Sequence, residues 1–331
     1  IRKATAPAFS KTEVDRMNEI CGRYVDIWIQ ERLLPMCENG KSFDPAKEIS
    51  GLTFCSVVES AFEYTPTHEE YETIHDSLET SLREFAFRQS TNPLRKVFGF
   101  LLPDTRRAYR AANVICEFAR KLLFFYRRNT KKSDQMTLIK LIENTDITER
   151  EKISEIVAFL IAGHDTTGYT LASVLVNLAK HPDELRKARH NPDYLQCVMQ
   201  ESQRITPVAA VGSIRSVDHE IIVSDNKVIP KRASIIMPHI LAFYNSTIFP
   251  DPETFRPERW ANPTPEMRDT LITFAIGNRN CLGQALAMAE LNSVLPRLVD
   301  NFDFEVECPG KLDYFLTLKY KDARLRPIKA S

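Results

Sequence analysis

Apolar residues recur at every third or fourth position through most of the chain, the spacing of a helix face turned toward a core. Val14, Met17, Cys21, Tyr24 and Trp28 form one such stripe, opened by Ser10-Lys-Thr-Glu13, a hydroxyl and a carboxylate at the spacing of a capping box. Asp44-Pro45 starts a second helix with Leu52, Cys55, Val58 and Phe62 on one face, and a third carries Tyr71, Ile74, Leu78, Leu82 and Phe85. Residues 89–104, broken by Pro93 and Pro103, predict a loop, after which Ile115, Phe118, Leu122 and Phe125 turn inward from another helix. Thr148-Glu-Arg-Glu151 is a second capping box, and the helix it opens runs to Lys180, where His181-Pro182 stops it. At 1.5 Å per residue that helix is roughly 50 Å long, enough to cross a whole domain.

Period-two and continuous apolar runs are confined to the second half. Glu220-Ile-Ile-Val, the turn at Ser224 to Lys227, Val228-Ile-Pro-Lys and Ala233 to Met237 read as short strands and hairpins, joined by Phe302 to Val306 and Tyr314 to Tyr320. The predicted fold is mainly α with a small β-sheet region, in one domain over residues 1–331. Pro296 falls inside the helix that follows Cys281, where it is expected to kink or end it.

The pattern breaks at two places. Gly163-His164-Asp165-Thr166-Thr167-Gly168 puts polar and flexible residues into the middle of the longest, otherwise apolar helix, where local rules disfavour them. The bland account is that the threonines bond back to carbonyls one turn earlier. The second break is Phe274-Ala-Ile-Gly277-Asn-Arg279-Asn-Cys281-Leu-Gly283, a cysteine at the mouth of the helix that begins near Gln284. Unpaired N–H groups at a helix start favour a thiolate, and Gly277 and Gly283 let the backbone bend sharply or lie against a flat ligand. Arg279 is placed to reach an acidic group at that ligand's rim, and Phe274 to pack beneath it. A lone cysteine is more often a buried small hydrophobe; five spaced residues together favour a site.

With 43% hydrophobic residues among 331 and a formal charge of zero, the composition is that of an ordinary globular protein and argues against a nucleic-acid-binding body. The central apolar run Ile156 to Ala162 is far short of the roughly 20 residues of a membrane span. Seven scattered cysteines form no disulfide framework or zinc pair, which favours a reducing compartment. A basic cluster of Arg106, Arg107, Arg110, Arg120, Lys121, Arg127, Arg128, Lys131 and Lys132 reads as a solvated face, with contact to an anionic membrane surface as the sharper alternative.

Phe274, Gly277, Arg279, Cys281 and Gly283 match the fixed positions of the haem-binding loop of the cytochrome P-450 monooxygenases, and the chain resembles that family in three further motifs in the family's order. Ala162-Gly163-x-Asp165-Thr166-Thr167 matches its oxygen-activation segment. Glu201-x-x-Arg204 with Pro257-Glu258-Arg259 matches its structural ion cluster. Arg2 and Pro7-Ala-Phe-Ser10 match the end of a Trp-x-x-x-Arg helix and the turn after it.

The resemblance implies a P-450-like helical fold, N-terminally incomplete, that binds haem b with Cys281 as axial ligand of the iron. It implies Asp165 and Thr166 as the proton-delivering pair, with Ala162 and Gly163 letting the helix deform beside them. His164 fills a variable position and is not expected to ligate iron. Arg279, Arg2 and Arg215 are the expected propionate partners, and Pro207 to Gly212 the expected pocket lining. The implied reaction inserts one oxygen atom of O2 into a small hydrophobic organic substrate. Electrons would come from a flavin-containing NADPH reductase or a ferredoxin, because the chain has no Gly-x-Gly-x-x-Gly dinucleotide motif. Two rivals stay open: a same-fold enzyme that rearranges peroxides without O2, and a fragment that does not retain haem. A membrane anchor in a preceding segment would place the protein on the cytosolic side of the endoplasmic reticulum.

Overall fold

The computed structural model describes residues 1–129, 134–224 and 227–330. Lys131 and Lys132 of the basic cluster, and Asp225 and Asn226 of the predicted turn, lie outside the described residues.

Seven longer helices carry the architecture: α1 (Lys11–Trp28), α2 (Pro45–Phe62), α3 (His68–Leu82), α4 (Pro103–Arg128), α5 (Glu149–Lys180), α6 (Pro192–Ile205) and α7 (Gln284–Val299). The long helix α5 begins at a true capping box, in which Glu151 N–H donates to Thr148 Oγ1 and Thr148 N–H to Glu151 Oε2. Its first turns, with Ile153, Ile156 and Leu160, enter one apolar core with α2, α3 and α4. Its last turns, from Tyr169 to Ala179, enter a second core with α6, α7 and the C-terminal strands. The polar segment 163–168 is therefore the stretch of α5 that passes between two apolar cores.

Helix α2 crosses α5 at that same point. A Cβ on Gly168 would lie 2.7 Å from Ser50 Cα and 2.9 Å from Thr53 Oγ1, so only glycine lets the two backbones approach this closely. The Thr53 hydroxyl donates to the His164 carbonyl at 3.1 Å across the crossing. Helix α5 stays regular throughout, and Gly163 packs toward Val57 of α2.

Several local expectations change. Ser10 starts α1 but makes no side-chain cap. Its partner Glu13 is buried, accepting from Arg16 at 3.0 Å and from Met136 N–H at 2.8 Å, because a guanidinium and a tertiary N–H outcompete a local one. The real second capping box is Thr67 with Glu70. Residues 89–104 are not an open loop but three short helical turns, tied down where Arg95 and Thr105 both donate to buried Glu84. Phe125 faces outward at 42% exposure, with Leu123 and Tyr126 buried in its place. Pro296 sits in the final turn of α7, which ends three residues later at Val299. Three exposed members of the basic cluster are ion-paired: Arg127 bridges Glu143 and Glu149, Lys121 meets Glu70, and Arg120 meets Glu117.

The strands form three small antiparallel pairs. β1 (Ser213–Ser216) pairs with β4 (Ser234–Met237), and β2 (Ile221–Ile222) with β3 (Val228–Ile229). β5 (Phe302–Tyr314) and β6 (Leu318–Lys329) make a long hairpin. The predicted strand Tyr314–Tyr320 therefore straddles the hairpin turn, and β1 went unpredicted because its alternation is only four residues long. Among the described residues no helix is long and apolar enough to cross a membrane.

Candidate functional site

A cavity of about 370 Å³ opens between α5 and the segment that leads into α7. One wall is Ala162, Gly163, Thr166, Thr167 and Thr170; the other is Thr273, Phe274, Ala275, Cys281, Leu282, Gly283, Leu286 and Ala287. Val208, Ala209, Gly212 and Ser213 close one end, as expected for the segment after α6.

The cysteine-bearing wall is a tight backbone construction. Cys281 N–H donates to the Phe274 carbonyl at 2.8 Å, closing a loop around the single helical turn Gly277–Arg279. Gly277 has φ of +79°, a conformation that glycine adopts without strain, and nothing lies within 4 Å of the space its Cβ would occupy. Ala275 takes φ of +57° in the same loop, a left-handed conformation uncommon for a residue with a side chain. Gly283 is the N-cap of α7, which puts the Cys281 thiol two residues ahead of the helix start. Burial raises the Cys281 thiol above its ordinary pKa, and a hydrogen bond from Gly283 N–H and the charge of Arg2 only partly offset this. The Gly283 N–H and Arg2 thus act in the direction of a thiolate, against the larger effect of burial, and a bound metal would stabilise the anion further.

On the opposite wall Thr166 is half-exposed to the cavity, its hydroxyl donating to the Ala162 carbonyl at 2.8 Å. Thr170 does the same to Thr166 at 2.7 Å, so the back-bonding expected of helical threonines is present. Asp165 is not on the cavity. It is 4% exposed and turned to the far side of α5, with one oxygen 2.8 Å from His164 Nδ1 and His75 of α3 close by. Burial alone would raise its carboxyl, but His164, then His75 and Lys319, outweigh this and hold it below the ordinary value. Burial pushes His75 down to about 4, which keeps it neutral.

The three arginines divide. Arg2 donates to Asn280 Oδ1 at 2.8 Å, fastening the chain start to the cysteine loop. Arg279 is exposed on the loop, away from the cavity lining, and Arg215 on β1 donates to the neighbouring Ile214 carbonyl.

Sequence reasoning missed Glu290. It lies on α7, 1% exposed, yet it lines the cavity; Ser56 donates to Oε1 at 3.4 Å and Oε2 has no partner among the described residues. Burial raises its carboxyl to about 8, against the opposing hydrogen bonds of Thr167 and Ser56, so at neutral pH it carries a proton. Its only sequence signal was a charged residue among the apolar positions of α7.

Behind the cysteine loop, Glu201 of α6 is fully buried and accepts five hydrogen bonds. Arg204 gives two, at 2.8 and 3.0 Å, Arg259 and the Arg256 backbone one each at 3.0 Å, and the Trp260 indole one at 2.8 Å. Trp260 packs with Met267 and Leu271 of the segment that feeds the loop, so the Glu-x-x-Arg and Pro-Glu-Arg motifs meet as expected.

A thiol on a largely apolar cavity between a long helix and a glycine-bearing loop is the arrangement that a haem-thiolate protein requires. The family model "Cytochrome P450" matches residues 1–319, and the chain belongs to that family. It is 26% identical to cytochrome P450 4F12 of Homo sapiens over 345 residues, 92% of this chain and 66% of that protein. To cytochrome P450 3A12 of Canis lupus familiaris it is 24% identical, over 95% and 70% of the two. The chain thus spans about two thirds of the length of these relatives. A crystal structure of a cytochrome P450 (CYP102L1) superposes with a TM-score of 0.84 at 21% identity, over all of this chain and 81% of the other, which shows the shared fold.

Proposed function

We propose that this chain carries the haem-thiolate centre of a monooxygenase acting on a small hydrophobic organic molecule. The observation that supports it most directly is the Cys281 thiol facing Thr166 and Gly163 across one apolar slot. The residues fit the group: the slot is flanked by two walls with small residues at Ala162, Gly163, Gly283 and Ala287, and among the described residues the one thiol on the lining is Cys281. Haem b would supply dioxygen activation there, with electrons from a flavin-containing NADPH reductase or a ferredoxin.

The chain's own residues would do the following. Cys281 holds the group from the loop side, and Arg2, through Asn280, keeps that loop in place; Arg279 and Arg215 are assigned to the propionate rim. The Thr166 hydroxyl, anchored to the Ala162 carbonyl, offers its free lone pairs to the cavity. Asp165 remains the ionised acid of the pair and reaches the cavity only by turning out of its contact with His164. Glu290 supplies a second acid on the cavity lining itself, held protonated at neutral pH by its burial. Apolar lining from Phe9, Val57, Phe159 and Val208 excludes water and suits a hydrophobic substrate. The seven cysteines are all free, which is consistent with a reducing, cytosolic-side location.

The test is the reduced carbon-monoxide difference spectrum of the chain expressed with haem supplied. A thiolate-type band that vanishes in Cys281→Ala supports the reading. Its persistence in that variant, or its absence from the parent chain, overturns it. Turnover that requires both O2 and an electron donor, and is not replaced by a hydroperoxide alone, separates this reading from peroxide rearrangement.

A further inference from the structure

Behind the cavity wall, on the face of α5 opposite Thr166, three side chains converge. One ligand-competent atom each from His75, His164 and Asp165 lie within 4.8 Å of one another, and the residues are 7%, 0% and 4% exposed. The two imidazoles stand at 85° with ring centres 5.4 Å apart. Neither nitrogen of His164, nor Nδ1 of His75, has a hydrogen-bond partner among the described residues. The 2.8 Å approach of His164 Nδ1 to Asp165 is a close contact off the hydrogen-bond axis. Leaving such buried groups unsatisfied costs about 1–3 kcal/mol each, so a cluster of them calls for an explanation.

We propose that His75, His164 and Asp165 are the protein ligands of one divalent transition-metal ion of the zinc type, at a site separate from the thiolate centre.

The donor set decides the metal class. Two imidazole nitrogens and one carboxylate suit zinc or cobalt, with a fourth tetrahedral position left for water, whereas calcium and magnesium require mostly oxygen. Phe54 and Tyr71 wall the site with ring centres 5.5 and 6.2 Å from His164, and the Tyr71 hydroxyl is committed to the Lys47 carbonyl at 2.6 Å. The cation nearest in charge, Lys319 of β6, is paired with Glu79 at 2.8 Å and contacts the Tyr169 hydroxyl at 3.3 Å. That leaves the Asp165 charge available to an ion. Bound there, the metal ties α3 to α5, and the Asp165 carboxylate reaches the cavity only by leaving the ion as well as its contact with His164.

The experiment uses the chain expressed with haem supplied, its accessible thiols alkylated, dialysed against zinc and then counted for zinc and iron separately. About one zinc per chain is expected, with X-ray absorption showing nitrogen and oxygen neighbours, two imidazoles and no sulfur. Calcium and magnesium in excess should not displace it. Losing even an outer-shell partner weakens metal sites about tenfold or more, so His75→Phe should weaken binding at least about tenfold. It should also abolish any zinc-induced rise in Tm. His75→Asn serves as a second variant if circular dichroism shows that the first does not fold. Zinc absent from a folded parent chain, zinc held equally by a folded His75 variant, or sulfur among its ligands would each overturn the proposal.

Discussion

Two of the buried charged clusters among the described residues are built in opposite ways. Around Glu201 both carboxylate oxygens are occupied by guanidinium, indole and backbone donors, and Arg204 spends its remaining donors on the carbonyls of Phe243 and Pro252. Around Asp165 the neighbouring imidazoles are left with open nitrogens. A saturated network of buried charges has nothing further to bind and fixes the chain segments that meet in it. An unsaturated one stores a cost that a ligand, a proton or a rotamer change can relieve. The first sits behind the cysteine loop and the second behind the opposite wall of the same cavity, one immobilising its wall and the other leaving a group free to act.

The sharpest way to break that contrast is to empty the saturated cluster. Glu201→Ala leaves Arg204 and Arg259 buried without a counter-charge and is expected to cost about 3–5 kcal/mol, measured by urea unfolding. A loss below about 1 kcal/mol would mean that the network adds no stability. Gly168→Ala, at the crossing of α2 and α5, forces a Cβ to 2.7 Å from Ser50 and should cost about 1–3 kcal/mol in the same assay.

Glu290 gives a pH signature. Its carboxyl is raised in the folded state to about 8, so the folded chain holds a proton that the unfolded chain gives up from the ordinary carboxyl value of 4.5 upward. The stability this contributes is complete below the unfolded value and falls by up to about 1.4 kcal/mol per pH unit as pH rises toward the folded value. Glu290→Gln should flatten that slope, and Tm measured across this range reads it; an unchanged slope would place the titration elsewhere.

The smallest effect is expected at the unsaturated cluster. His75→Phe in metal-free protein removes an unsatisfied polar group and keeps a ring against Tyr71 and His164, so stability should change by less than about 1 kcal/mol. A loss as large as that of Glu201→Ala would show that the two clusters are alike after all.

Much of the fold was legible from periodicity, and the failures share a cause. The Thr148 capping box and the end of α5 at His181 were readable because both depend on residues within four positions of one another. Ser10 failed as a cap because Glu13 was claimed by Arg16 and by Met136, which is 123 positions away. The turns between 89 and 104 were hidden because Glu84, outside the segment, holds them. Cys281, Gly277 and Thr166 stood out in the sequence because each broke a local rule, and Cys281 and Thr166 line the cavity. Glu290 was missed because one acid in an apolar helix looks like an exposed face until the fold buries it.

By itself, the sequence determined most of the helices, the breaks in them and the backbone turns of the cysteine loop, since these follow from spacing along one chain and from the intrinsic preferences of glycine, proline and the cap residues. Tertiary structure alone decided which way each functional group points. Asp165 and Thr166 are neighbours in sequence, but on a helix consecutive side chains are about 100° apart. Packing of α2 and α3 against one face turned the acid into a buried cluster and left the alcohol on the cavity. The same packing shifted the charge states, because desolvation depends on what surrounds a group in space: it left Glu290 protonated and His75 neutral, and it raised the Cys281 thiol.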